Sequence, residues 1–168
     1  MKSLVLASMM AAGALAASSV LAYNPAGTTT TGSGPTTLMY LGSAFPCHGH
    51  FTVNVPSAGS PTATITGPAS GAFTTAPGDS TVCPYITLGT LPWAIGAASP
   101  VSGSPGIYTA PITGITVTIP GVVTCKGSAT FTLNNNTQMA SFTGTLYDTS
   151  SRPCTVSGSG LSTVITAP

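Results

Sequence analysis

From Thr36 onward the chain consists of short runs in which apolar and polar residues alternate, separated by clusters of Gly, Pro, Ser and Asn. The main runs are "TTLMYLG", "HFTVNV", "TATIT", "CPYITLG", "ITVTIPGVVT", "SATFTLN", "MASFTGTLY" and "GLSTVITA". A period of two sends alternate side chains to opposite faces of a strand, and Thr, Val, Ile and Phe suit a pleated, half-buried surface. No stretch after Ala22 keeps a 3.6-residue apolar period for three turns, and 20 Gly and 15 Pro would interrupt most helices. The pattern predicts an all-β domain over residues 36–168, with about eight antiparallel strands in a sandwich or a barrel-like arrangement.

The first 35 residues read differently. Met1-Lys2, the apolar stretch Leu4 to Ala17 and the small residues of Val20-Leu21-Ala22 have the form of a signal peptide over 1–22, cut before Tyr23. That run is too short and too rich in alanine for a transmembrane helix, and no later segment is continuously apolar. The expected protein is therefore exported, either released or held at the outer surface. Residues 23–35, "YNPAGTTTTGSGP", offer almost nothing to bury and are expected to form a flexible leader.

Four cysteines, at 47, 83, 125 and 154, are an even number in an exported chain, so disulfides are expected. An internal echo bears on their pairing. "CHGHFTVNV" (47–55) aligns without a gap on "CKGSATFTL" (125–133), which places Phe51, Val53 and Val55 against Ala129, Phe131 and Leu133. Each segment continues to a second cysteine, Cys83 or Cys154. If the echo is a true two-fold repeat, it favours Cys47–Cys83 and Cys125–Cys154; otherwise the two crossing pairings stay open. Closing loops of this size would stabilise the fold by about 3–4 kcal/mol each.

Charge changes the picture most. After residue 22 the only charged side chains are Lys126, Arg152, Asp79 and Asp148, and the whole chain is 3% charged. Solubility must rest on hydroxyls, supplied by 29 Thr and 20 Ser. There is no basic stripe for nucleic acid and no polybasic segment for a membrane surface.

Candidate chemistry is sparse. His48 and His50 would share a strand face and could reach one metal, but the chain has no other histidine and few carboxylates to complete a site. What the echo repeats is the cysteine and glycine, not these histidines, so Cys47 reads as a disulfide anchor and no metal or cofactor is expected. Asp79 in "APGDST" and Asp148 in "YDTSS" sit in turn-like contexts, no nucleophile elbow or phosphate-binding loop is present, and the chain is expected not to be an enzyme. "NNNT" (134–137) reads as a hairpin turn, although Asn135-Asn136-Thr137 also matches a glycosylation sequon. Trp93, in "GTLPWAIG", is either an apolar contact at a ligand-facing edge or a plug in the core, and the plug is favoured.

The Thr/Gly/Ser-rich chain, its four spaced cysteines, the central "LPW" and the closing "C-x-V-S-G" from Cys154 to Gly158 resemble the alkane oxidation protein activator family of pseudomonads. The resemblance implies a secreted or cell-surface protein that helps growth on hydrocarbon by emulsifying or dispersing it, without oxidising it, and assigns no catalytic residue. The near absence of charge suits such a partner, because little has to be desolvated at an oil–water boundary. A self-associating structural or adhesive subunit of a biofilm matrix is the alternative, since Thr/Val strands with few charges could pair edge to edge. A carbohydrate-binding sandwich would want several exposed aromatic residues, and the chain is 7% aromatic with one Trp.

Overall fold

The computed structural model describes residues 23–57, 60–163 and 165–167. The expected signal peptide lies outside the described residues. Eleven strands account for most of the rest: β1 Thr28–Tyr40, β2 Ser43–Val55, β3 Ala63–Gly67, β4 Phe73–Thr74, β5 Thr87–Gly89, β6 Trp93–Ile95, β7 Ser99–Pro100, β8 Ile107–Ile119, β9 Val123–Asn134, β10 Met139–Tyr147 and β11 Pro153–Ser162. Eight of them form a ring in the order β1-β11-β10-β9-β8-β6-β3-β2, and β1 pairs with β2 to close it. All pairings are antiparallel, so this is an up-and-down barrel: of the two expected arrangements, the barrel.

The alternation read from the sequence sets what faces inward. On β2, Cys47, Gly49, Phe51, Val53 and Val55 are buried, and on β9 Cys125, Ala129, Phe131 and Leu133 are buried. Outward positions are mostly Thr and Ser. An apolar interior with a hydroxylated wall is the inverse of a membrane-spanning barrel, whose lipid-facing side chains are apolar. On β8 one extra residue is accommodated between Ile112 and Ile115, where Gly114 has a φ of 78°. This bulge lets both isoleucines face inward although they are three apart.

The expected leader is a wall strand. β1 begins at Thr28 and pairs with β2 from Thr28↔Val55 to Tyr40↔Ser43, while Tyr23 is buried and its hydroxyl donates to the Gly96 carbonyl at 2.9 Å. The segment looked empty because its inward positions include Gly32 and Gly34. A Cβ on Gly34 would lie 2.9 Å from the Leu161 Cα, so β1 and β11 approach too closely there for any side chain. Burial also pushes the Tyr23 phenol up to about 12.

β3 and β6 are too short to complete the wall alone. The connection between them, residues 68–92, supplies the missing parts: β4 pairs with β2 above β3 (His48↔Thr74), and β5 pairs with β8 above β6 (Leu88↔Val117). A 3-10 turn at Cys83–Tyr85 lies within this connection, and Cys83 is bonded to Cys47 of β2 with a Cα–Cα distance of 5.6 Å. The second disulfide, Cys125–Cys154, ties β9 to β11 across the end of β10. Both disulfides lie toward the end of the barrel that carries turns 41–42, 120–122 and 148–152; we call it the cystine end. The other end is plugged by Tyr23, Ile165 and Ala167, with Asn135 exchanging two hydrogen bonds with Ala167.

Because the first disulfide pins the connection that completes the wall, its loss should act locally as well as globally. Cys47→Ala/Cys83→Ala is expected to lower unfolding stability by about 3–4 kcal/mol and to make residues 68–92 the first site of proteolysis. Denaturant melts and limited proteolysis with mass mapping check both outcomes.

Candidate functional site

The residues singled out for chemistry lie on strand faces and turns. His48 and His50 lie side by side on the outer face of β2, ring centroids 5.1 Å apart, with His50 Nε2 3.2 Å from Thr74 Oγ1. Among the described residues no group of three or more His, Cys, Asp or Glu comes together, and Cys47 is committed to its disulfide. Asp79 closes a turn by accepting the Ala76 N–H at 2.8 Å. Asn134 Oδ1 accepts the N–H groups of Asn136 and Thr137, which shapes the 135–138 hairpin. The Asn135 side chain of the sequon faces Ala167.

Asp148 is more deeply engaged. One of its carboxylate oxygens accepts the N–H groups of Ser150 and Arg152, and the other accepts the Tyr40 hydroxyl at 2.8 Å and Arg152 Nε at 2.7 Å. Arg152 also lies over the Tyr40 ring, 5.3 Å from its centroid. Burial alone would push the carboxyl up, but the donors from the Arg152 backbone, Tyr40, the Arg152 side chain and Ser150 outweigh it and hold it at about 2. Burial, followed by the hydrogen bond to Asp148, raises the Tyr40 phenol. The network fastens the β10–β11 turn to β1, so two of the four charges after residue 22 neutralise each other in a structural lock.

Two apolar features remain. The first is inside the barrel: a cavity of about 80 Å³ whose lining includes Phe51, Ile65, Trp93, Ile112, Phe142 and Val156. Trp93 is 4% exposed and its indole N–H donates to the Gly89 carbonyl at 2.8 Å, so its polar edge is satisfied and its ring faces the cavity. Inward glycines set where the rings lie. A Cβ on Gly158 would sit 2.4 Å from the Phe142 ring, and one on Gly49 2.8 Å from the Phe51 ring, so each ring lies over a glycine. Phe142 and Phe51 then meet edge to face, 5.9 Å between centroids.

The second feature is at the cystine end. Of the six large apolar residues exposed on the surface described, Met39, Leu41, Tyr85, Val122 and Tyr147 belong to that end by their place in the strands and turns; only Met139 is at the other. Leu41, 63% exposed, is the first residue of the two-residue turn between β1 and β2. Leu41 and Gly42 both have positive φ, 48° and 80°, which makes the turn type I′ and its first position one that favours Asn or Asp. A leucine there is both strained and exposed to water. Lys126 is exposed in the same half, and Asp79 is half-buried there.

The Asp148 network sets the acid response. A carboxyl held at about 2, against an ordinary value of 3.8, contributes stability that is fully present above the unfolded value and is lost as pH falls through the folded one. The melting temperature is therefore expected to fall between pH 5 and pH 2, and Asp148→Asn should lower it at pH 7 and flatten that dependence. Thermal melts across the range check both.

The sequence model of the family described as "Alkane oxidation protein activator PraA/PraB-like" matches residues 1–166. No curated protein and no solved structure matches the chain.

Proposed function

Because the chain belongs to the PraA/PraB-like alkane oxidation protein activator family, we propose that it promotes alkane use as a secreted, non-enzymatic barrel that adsorbs to hydrocarbon through its cystine end and disperses it. The observation that carries this reading is the turn at Leu41-Gly42. An exposed apolar side chain occupies a left-handed position that costs on the order of 1–3 kcal/mol in a non-glycine residue. Stability alone would select Asn there. Strain retained at an exposed apolar tip points to a role for the tip.

The surroundings support the same reading. Met39, Tyr85, Val122 and Tyr147 extend the apolar character of that end, and the Asp148–Arg152 pair keeps two charges from opposing its transfer toward oil. Two disulfides brace the same end against the unfolding that interfaces promote. Disulfides also suit an oxidising compartment outside the cytoplasm. Self-association through strand edges, the alternative, has less to work with: the ring pairs each of its long strands on both sides, and among the described residues only the short β4, β5 and β7 keep a free edge.

Leu41→Asn separates stability from function. It is expected to raise unfolding stability by about 1 kcal/mol. It should also require about tenfold more protein to reach the same fall in hexadecane–water interfacial tension, since Leu burial is worth roughly 1.5–3 kcal/mol. Pendant-drop tensiometry beside denaturant melts reads both. Unchanged tension curves in a stabilised variant would remove the cystine end from the mechanism.

A further inference from the structure

We propose that the barrel interior is a binding site for the end of a single saturated hydrocarbon chain, apart from any contact the barrel makes with bulk oil. Eight-stranded barrels lie at the size where the interior is either filled by side chains or holds one small ligand. Here the rings of Phe51 and Phe142 fold down over Gly49 and Gly158, and with Ala140 in the lining the side chains leave the interior incompletely filled. The cavity measures about 80 Å³. That is about half the volume of an engineered apolar cavity that holds benzene, so the space takes the end of a chain and not a whole one.

Its chemistry selects the ligand. A buried water needs two to four polar partners, and this lining offers almost none: the Thr36 hydroxyl already donates to the Cys47 carbonyl, and the Trp93 N–H to Gly89. Cavities of this kind stay dry and take apolar guests; an engineered one of about 150 Å³ binds benzene. A fatty acid or alcohol would bring a head group that finds no buried partner, because Arg152 is committed to Asp148 and Lys126 faces outward. The site thus suits the unfunctionalised hydrocarbon over its oxidised products. The cavity is partly open, which gives a chain end a route of entry. The inference deepens the hydrocarbon reading above and shares its premise, but it stands on the interior and not on the cystine end.

The test uses oxidised, signal-free protein equilibrated with n-hexane vapour, with headspace chromatography for stoichiometry and methyl NMR for location. Saturable uptake of one hexane per protein is expected, with shifts concentrated at Ile65, Ile95, Ile112 and Val156, and hexanoate at least about tenfold weaker. Ala140→Leu, which fills the cavity, should abolish uptake and leave the melting temperature and interfacial tension unchanged. Val156→Leu serves as a second filling variant where Ala140→Leu does not fold. Leu41→Asn should leave hexane uptake intact, so that failure of interfacial activity and failure of the interior site are separate results. Absent or unsaturable uptake in the wild-type protein, hexanoate binding as tightly as hexane, or shifts confined to the surface of the cystine end would each overturn the interior site.

Discussion

The closing of the ring through β1 is the constraint on which the rest of the structure depends. β1 pairs with β2 along its whole length and with β11 from Ser33 to Tyr40, so it is the seam between the first and last wall strands. Without it, the inward faces of β2 and β11 would meet water and two long edges would be exposed. The seam depends on a side chain that is missing: at Gly34 the two backbones approach within a distance that a Cβ would violate, and at Gly32 they leave a Cβ little room. This sparse strand completes the wall around an interior of Phe, Ile, Val and Leu.

Two further devices keep the wall whole. The 68–92 connection extends β3 with β4 and β6 with β5, and Cys47–Cys83 holds that patch against β2. At the cystine end, Asp148 joins the β10–β11 turn to Tyr40 of β1, and Cys125–Cys154 ties β9 to β11 just inside it. Constraint is therefore concentrated at the end that also exposes most of the large apolar residues. A surface that has to meet oil without unfolding needs such bracing, because oil competes with the core for the same side chains.

The all-β class and the inward stripe of β2 and β9 were legible because period-two alternation reports directly on a half-buried strand. The echoed segments at 47–55 and 125–133 become β2 and β9, four places apart on the ring of eight, with the matched positions Phe51/Ala129, Val53/Phe131 and Val55/Leu133 all facing inward. The second half of β1 shows as the run "TTLMYLG", whereas its first half, 28–35, reads as leader because Gly32 and Gly34 put no side chains inward, which alternation cannot register. Choosing a barrel over a sandwich depends on a long-range pairing, β1 with β11, that no local pattern contains. The Leu41 tip was also missed, although an apolar residue before glycine between two alternating runs was there to be noticed. The cavity could not have been found this way, since it is a difference between the volume of a ring and the side chains that fill it.

Under the proposed reading the two apolar features would divide the work: a strained, exposed tip for hydrocarbon in bulk, and a partly open interior space for one chain end. The central claim is that the barrel meets oil end-on and folded. Two methionines at opposite ends, Met39 and Met139, are equally exposed at 45% and so form a matched pair of reporters. The decisive measurement is their oxidation by dilute hydrogen peroxide, read by mass spectrometry, for protein in solution and protein adsorbed on hexadecane droplets. The account expects Met39 to be protected several-fold on the droplets and Met139 to react as it does in water. Equal protection of both, or protection of Met139 alone, would contradict it.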